Sequence, residues 1–222
     1  MKVNFLNFEL DLPVETEADK SVLREVFLDR DYLCLEDLIR QAGVVVDIGA
    51  HIGLFSIYAK CLNTKIALFS YEPDVRNFGL MKEALRANKF LDRDSVLKNV
   101  AVGAENGRRK FYLSEDSHNH SFLGEGKEVM VDVIDMVKIL ARDLQGKKCD
   151  LLKMDCEGAE FEILRSMNRE QFDKISNIYV EYHEGEGRSA RELGEILREN
   201  GFKVKMSISR FDCRFGFILG RK

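Results

Sequence analysis

The chain has 222 residues, of which 45% are hydrophobic and 32% are charged, and its formal net charge is −4 at pH 7. This length predicts a single domain over residues 1–222 with one substantial core. The acidic balance argues against a nucleic-acid-binding surface, which requires a clustered basic face. The sequence contains neither a signal-peptide pattern nor an apolar run of membrane-span length, so we expect a cytoplasmic protein without a membrane partner.

The first 41 residues predict a strand and helix extension that packs on the core. Residues 3–12 mix apolar and polar positions as in an edge strand or hairpin, and residues 15–41 have helical spacing in pieces. Beyond residue 43, short apolar runs alternate with helical segments, which predicts an α/β fold. The predicted strands are residues 44–47, 66–71, 96–102, 110–113 (returning antiparallel to 96–102), 129–134, 151–154 and 177–182. The predicted helices are residues 54–62, 74–88, 136–144, 159–167 and 189–200. Residues 202–208 and 215–219 predict a closing antiparallel hairpin.

A strand followed by a glycine turn stands at residues 44–53, with the sequence VVVDIGAHIG. In α/β proteins, a ligand lies against the carboxyl end of such a strand. The pattern D-x-G-x-x-x-G differs from the G-x-G-x-x-G that brings the backbone against a pyrophosphate, and a histidine replaces the middle glycine. A ligand with adenosine but no phosphates fits better, and S-adenosylmethionine is such a ligand. The residues predicted to shape its methionine pocket are Asp47, Gly49, Ala50, His51 and Gly53.

An acidic residue ends the second predicted strand, where Glu72 and Pro73 follow the run at 66–71. It comes roughly 20 residues after the glycine turn, the spacing of a carboxylate that binds ribose hydroxyls. A carboxylate accepts two hydrogen bonds at once, and a vicinal diol offers two donors. Pro73 removes a backbone donor and ends the strand. We predict that Glu72 binds the ribose, and that Asn99, Val100 and Ala101 at the end of the third strand border the adenine.

Five segments resemble those of FkbM-family methyltransferases, in the same order. They are DIGAHIG at 47–53, YEP at 71–73, NVAVG at 99–103, DLLKMDCEGAE at 150–160 and VEYH at 180–183. The resemblance extends from about residue 25 to residue 219, and its most specific element is K-x-D-x-E-G-x-E. It implies the Rossmann-like methyltransferase fold, with a mostly parallel sheet and helices on both faces. It also implies methyl transfer from S-adenosylmethionine, typically to hydroxyl oxygens of sugars and natural products.

Methyl transfer to oxygen requires alignment of oxygen, methyl carbon and sulfur, and removal of the hydroxyl proton. Asp155, at the end of the fourth core strand, is the first candidate base, and Glu157 lies two residues on. Each of the two could instead contact the amino group of the cofactor or form half of a metal site, and one of them could cap the helix that begins at residue 159. His183, at the end of the fifth strand, is the second candidate base. No complete metal site is predicted, because the pair His118 and His120 has no third ligand nearby.

Three other classes remain as alternatives to a small-molecule O-methyltransferase. A nicotinamide-dependent oxidoreductase shares the glycine turn and the ribose acid, but requires the missing glycine triplet. An RNA or protein methyltransferase is disfavoured by the acidic charge and by the absence of an Asn/Asp-Pro-Pro-Tyr motif. A cofactor-binding protein without catalysis is distinguished only by an assay. The expected partner is therefore a small hydroxyl-bearing acceptor, not a nucleic acid.

Overall fold

The computed structural model describes residues 1–113, 126–185, 187–209 and 214–222. Its strands are β1 (Lys2–Phe5), β2 (Phe8–Asp11), β3 (Val44–Ile48), β4 (Ala67–Tyr71), β5 (Val96–Lys98), β6 (Ala101–Val102), β7 (Gly107–Leu113), β8 (Lys127–Ile134), β9 (Cys149–Met154), β10 (Ile175–His183), β11 (Lys203–Ile208) and β12 (Phe215–Arg221). The α-helices are α1 (Glu17–Leu23), α2 (Glu36–Gln41), α3 (Leu54–Leu62), α4 (Val75–Ala87), α5 (Met136–Lys138), α6 (Glu160–Ser166), α7 (Arg169–Asp173) and α8 (Ala190–Glu199).

A seven-stranded sheet, in the order β11-β12-β10-β9-β3-β4-β5, forms the centre of the fold. The strands from β10 to β5 pair in parallel, and the hairpin β11–β12 joins antiparallel to β10. The sheet is built outward from β3, towards β4 on one side and β9 on the other. Such a reversal of strand order opens a crevice at the carboxyl ends of the strands. The predicted α/β fold with its closing hairpin is confirmed.

Helices cover both faces of this sheet, because successive residues of a strand point to opposite faces. Val44, Val46 and Ile48 of β3 lie in the hydrophobic cluster that includes residues of α6 and α8. Val45, between them, lies in the second cluster, which includes residues of α3 and α4. All five residues of β3 are buried, which explains why four of them are apolar and do not alternate with exposed polar residues, the exception being the buried Asp47.

The N-terminal residues pack on the α3 face of the sheet. β1 and β2 form the predicted hairpin, and Phe5 stacks against Tyr58 of α3 with ring centroids 5.1 Å apart. After α1, a π-helical segment at Arg24–Asp29 and a 3₁₀ turn at Leu33–Leu35 lead to α2. Their buried apolar side chains, Val26, Phe27 and Leu35, belong to the same cluster as α3. The N-terminal segment thus contributes side chains to this core.

The prediction of one strand over residues 96–102 is wrong. β5 pairs with β4 of the central sheet, whereas β6 pairs with β8 in a second sheet of order β6-β8-β7. Asn99 lies at the break, and its side-chain amide donates to the carbonyl oxygens of Glu72 and Pro73, at 2.9 Å in each case. The predicted partner of residues 110–113 is also wrong, because β7 pairs antiparallel with β8.

The helix predicted over residues 136–144 is α-helical only in α5, and it continues as a π-helical turn at Ile139–Asp143. Asp135 caps its start, because its side chain accepts from the Lys138 N–H at 2.8 Å. The histidines at positions 118 and 120 lie outside the described residues. None of the helices that the structure describes combines the length and apolar character needed to cross a membrane.

Candidate functional site

An open cleft lies at the carboxyl ends of β3, β4, β9 and β10. It encloses about 1040 Å³, including the solvent space at its mouth. The predicted site residues that line it are Gly49, Ala50, His51, Glu72, Pro73, Ala101, Asp155 and Glu157. Crevices at the carboxyl ends of such strands are where α/β proteins bind small molecules and cofactors. The structure therefore brings residues from four separate motifs of the sequence to one cavity.

The glycine turn after β3 forms the floor of this cleft. The N–H groups of Gly49 and Ala50 both donate to the carbonyl oxygen of Tyr71, at 3.0 and 3.1 Å. Gly49 has a φ of +73°, and a Cβ there would lie 1.7 Å from the carbonyl oxygen of Asp155. Only glycine permits this approach. Gly53 has a φ of +84° and packs against Met81, so it fixes the start of α3 and lies outside the cleft.

Glu72 extends into the cleft from the end of β4, and its side chain is almost completely buried. One carboxylate oxygen accepts from the His51 N–H and the other from the Asp74 N–H, both at 2.8 Å. Burial raises the pKa of Glu72 to about 8, more than these two backbone bonds lower it. Because each oxygen has two lone pairs, each can accept one further hydrogen bond. The fixed carboxylate is therefore suited to a ligand with two adjacent hydroxyl groups.

The predicted adenine-bordering residues have different placements. Ala101 lines the cleft, and Val102 beside it does so too. Val100 packs against the hydrophobic cluster on the α6 face. Asn99 holds the backbone of Glu72 and Pro73 through its side-chain amide. Of the three predicted residues, Ala101 is thus the one placed for direct ligand contact, and Asn99 positions the loop that carries Glu72.

Lys153, the second-last residue of β9, connects the two halves of the site. Its ammonium donates to the carbonyl oxygen of Gly49 at 3.0 Å, and lies 3.3 Å from Asp47 Oδ1 and 3.5 Å from Asp155 Oδ2. Asp47 is completely buried and also accepts from the Ser56 hydroxyl, so it does not line the cleft. Burial lowers the pKa of Lys153, but the two carboxylates outweigh it and raise the pKa above its usual range.

No role was predicted for Lys153 from the sequence. Its position among apolar residues of a predicted buried strand could have indicated an ion pair, since a buried lysine requires an ionic partner. In the structure, this lysine supports both the glycine turn and the candidate catalytic carboxylate. Asp47 contributes to the site through Lys153 and not by touching a ligand.

The three predicted catalytic residues lie together. Asp155 and Glu157 line the cleft, and their side chains are about one quarter exposed, at 26% and 25%. His183 lies behind Glu157, with its Nε2 3.4 Å from Glu157 Oε2. Its Nδ1 lies 3.3 Å from Oε1 of Glu160, a carboxylate that is completely buried and also accepts from the Cys156 N–H.

These contacts determine the protonation of the histidine. Burial lowers the pKa of His183, but the hydrogen bond to Glu160 and the charge of Glu157 outweigh it and raise the pKa to about 10. Burial raises the pKa of Glu157. In the unliganded protein, the raised pKa favours the protonated form of His183, which lies between Glu157 and Glu160 and is a weaker proton acceptor than a free imidazole. Of the predicted base candidates, Asp155 is the carboxylate best placed to act on a ligand in the cleft.

The outer wall of the cleft consists of residues for which no role was predicted from the sequence. Val22 and Val26 reach it from the N-terminal segment, and Tyr32 packs edge-on against Phe55 with ring centroids 4.8 Å apart. Glu181, two residues before His183, lines the opposite side. Sequence spacing gave no indication of this wall, because it depends on how the first 41 residues pack against α3.

The family model of the methyltransferase FkbM domain matches residues 47–204, which include the glycine turn, Glu72, Asp155 and His183. The match begins at the carboxylate that pairs with Lys153 and ends within β11. It leaves out all of residues 1–41, which contribute the outer wall of the cleft.

Among similar proteins, the 31-O-demethyl-FK506 methyltransferase FkbM of Streptomyces tacrolimicus is 26% identical over 82% of this chain and 80% of its own length. The hexuronic acid methyltransferase AglP of Haloferax volcanii is 23% identical over 90% of this chain and 82% of its own. The crystal structure of methyltransferase FkbM from Methylobacillus flagellatus superposes with a TM-score of 0.57 at 16% identity. The superposition covers 81% of this chain and 43% of that one, and it shows a shared fold.

Proposed function

Because this chain belongs to the FkbM methyltransferase family, we propose that it transfers the methyl group of S-adenosylmethionine to a hydroxyl oxygen of a sugar or another small molecule. The names of two relatives support this class of acceptor, since one acts on a demethylated FK506 and the other on a hexuronic acid. The cleft also opens to solvent at its mouth, which gives an acceptor a route to a cofactor bound at its floor.

The observation that carries the proposal is the pairing of Glu72 with the glycine turn. Glu72 is fixed by the His51 and Asp74 N–H groups and retains one acceptor site on each oxygen. The two ribose hydroxyls would bind there, while the methionine part would lie along the Gly49–Ala50 backbone. His51 occupies the place where a dinucleotide site requires a glycine, which favours a cofactor without a diphosphate.

Asp155 is then the residue proposed to act on the acceptor hydroxyl. In the transfer step, the hydroxyl oxygen forms a bond to the methyl carbon as the bond from carbon to the sulfonium sulfur breaks. The hydroxyl proton passes to the Asp155 carboxylate, and the cofactor leaves as neutral S-adenosylhomocysteine. The Lys153 ammonium pairs with the Asp155 carboxylate, and the His183 ring pairs with the neighbouring Glu157. Alignment in such a site can lower the barrier by roughly 7–11 kcal/mol.

The test begins with calorimetric titration of S-adenosylmethionine, S-adenosylhomocysteine and NAD into the protein. We expect both sulfur ligands to bind at one site and NAD to give no heat of binding. Transfer of the labelled methyl group is then measured on a panel of sugars, hydroxylated natural products, RNA and peptides. Tight NAD binding without a response to either sulfur ligand would contradict the cofactor assignment. Label on RNA or peptide alone would contradict the acceptor class.

A further inference from the structure

Three side chains at the edge of the cofactor cleft have the donor set of a cation site. One ligand atom from each of Asp155, Glu157 and His183 lies within 4.8 Å of the other two. The pair from Glu157 Oε2 to His183 Nε2 is already at 3.4 Å. Donors about 2.1 Å from one ion are at most about 4.2 Å apart, so side-chain shifts of less than 1 Å would bring all three onto one ion.

A second observation comes from Glu160, behind the histidine. Its side chain is completely buried, with Oε1 3.3 Å from His183 Nδ1, and Oε2 has no hydrogen-bond partner among the described residues. Histidines that ligate metals almost always donate their other ring N–H to a carboxylate, which orients the ring and fixes the tautomer. Glu160 is placed to do this, and it leaves Nε2 facing Glu157 and the cleft.

The charges around the site also favour a cation. Five carboxyl groups belong to the site or lie next to it, two of them being donors themselves, whereas the cationic side chains with a described ion pair to these groups are Lys153 and His183. The five carboxyl groups belong to Asp47, Asp155, Glu157, Glu160 and Glu181. Buried carboxylates are normally paired or coordinate a metal. A divalent ion in the cleft would balance the excess.

We infer that Asp155, Glu157 and His183 bind a divalent cation at the acceptor side of the cleft, with Glu160 orienting the histidine. Two carboxylate oxygens and one imidazole nitrogen suit a divalent cation such as Mn²⁺ better than a thiol-selecting metal. Because only a neutral imidazole can ligate, the ion would displace the proton that His183 holds in the unliganded protein, so binding would release a proton. The three side chains leave the remaining coordination positions open towards the cleft. From sequence, half of a metal site was one alternative role for Asp155 and Glu157, but no complete ligand set was predicted.

The part that the ion would play in methyl transfer rests on the proposed function, whereas the binding of the ion does not. Two adjacent hydroxyls of a sugar could fill open coordination positions, which would hold the acceptor oxygen in place and favour loss of its proton. One oxygen of Asp155 would ligate the ion, and the other would accept that proton. The acceptor class is thereby narrowed to molecules with two neighbouring oxygen donors.

The test titrates Mn²⁺ into the full chain and follows the free ion by electron paramagnetic resonance. We expect one site in the unaltered protein, at least tenfold weaker binding in Glu157→Gln and in His183→Gln, and unchanged binding in the control Glu195→Gln, an exposed carboxylate on α8. Glu160→Gln should weaken binding by about 10–100-fold. An unaltered protein that binds no Mn²⁺ at millimolar concentration, or variants that bind it equally well, would overturn the site.

A second measurement avoids substitutions, since removing one partner of a buried ion pair can unfold a protein. Substoichiometric Mn²⁺ should broaden the imidazole NMR signals of His183 beyond detection, and unbroadened signals would overturn the site. A parallel titration with S-adenosylhomocysteine separates the two proposals. A protein that binds S-adenosylhomocysteine but not Mn²⁺ refutes the cation site alone. A protein that binds Mn²⁺ but not S-adenosylhomocysteine refutes the cofactor assignment alone.

Discussion

Gly49 and Asp155 are in such close contact that a Cβ on the glycine would lie 1.7 Å from the aspartate carbonyl oxygen. The Asp155 N–H also donates to the Ile48 carbonyl at 3.1 Å. The turn that would hold the cofactor and the strand end that carries the candidate base are therefore one rigid unit. A change in either backbone alters the distance between a bound cofactor and the carboxylate that acts beside it.

Gly49→Ala should remove cofactor binding and destabilise the protein by about 3 kcal/mol or more. The substitution combines left-handed backbone strain of about 1–3 kcal/mol with a clash against a backbone atom that cannot rotate away. The control is Gly79→Ala in α4, where a Cβ meets nothing within 4 Å and helix propensity predicts a gain of up to about 1 kcal/mol. Urea unfolding and calorimetric titration measure both effects. Cofactor affinity retained in Gly49→Ala would contradict the close contact.

The features whose position in the fold can be read from the sequence are those with local causes. Gly49 and Glu72 each follow a short apolar strand, and their spacing along the chain places both at the carboxyl edge of the sheet. The break at Asn99 was not predictable, because its side chain bonds to carbonyl oxygens 26 and 27 residues earlier in the chain. The role of Lys153 was missed for a similar reason, since Asp47 and Gly49, two of its partners, lie more than 100 residues earlier.

The affinity for S-adenosylhomocysteine should rise as the pH increases from 6 to 8, and then level off. The pKa of Glu72 in the free protein is about 8, because burial disfavours its charge. Two ribose hydroxyls donate best to the ionised form, so the bound cofactor lowers this pKa, and binding below pH 8 must release a proton. The gain is at most tenfold per pH unit. Calorimetry over this pH range measures it.

Glu72→Gln should abolish this slope and weaken binding above pH 8 by about 1.5–3 kcal/mol. Glu83→Gln, an exposed glutamate on α4, serves as the control and should retain the slope. The free energy of unfolding of the unliganded protein should fall as the pH rises from 4.5 to 8, whereas the cofactor affinity rises. A carboxyl whose folded pKa lies above its unfolded value of 4.5 stabilises the fold below that value, and the contribution is lost as the pH rises towards 8. A slope that persists in Glu72→Gln would assign the titration to another group.

Lys153→Met should destabilise the protein by about 3–5 kcal/mol, because it leaves the completely buried Asp47 without its cation. The double variant with Asp47→Asn should lose less than the sum of the two single losses, since it removes the uncompensated charge. Lys82→Met, on the exposed side of α4, should have little effect. Urea unfolding of the unaltered protein, the two single variants and the double variant completes the double-mutant cycle. Additive losses would show that the 3.3 Å pair is not an energetic unit.

Asp155→Asn should lower the rate of methyl transfer by about 10²–10⁴-fold while cofactor affinity changes little, because a general base acts mainly in the transition state. His183→Gln should cause a smaller loss, since the imidazolium positions Glu157 and does not itself accept the proton. Asp132→Asn, an exposed carboxylate of β8, is the control. The measurement is single-turnover transfer at saturating cofactor and acceptor, with cofactor titration in parallel. A larger rate loss in His183→Gln than in Asp155→Asn would exchange the two roles. A loss in Asp155→Asn that is confined to cofactor affinity would place this carboxylate against the methionine part of the cofactor, and alignment alone would then account for the transfer.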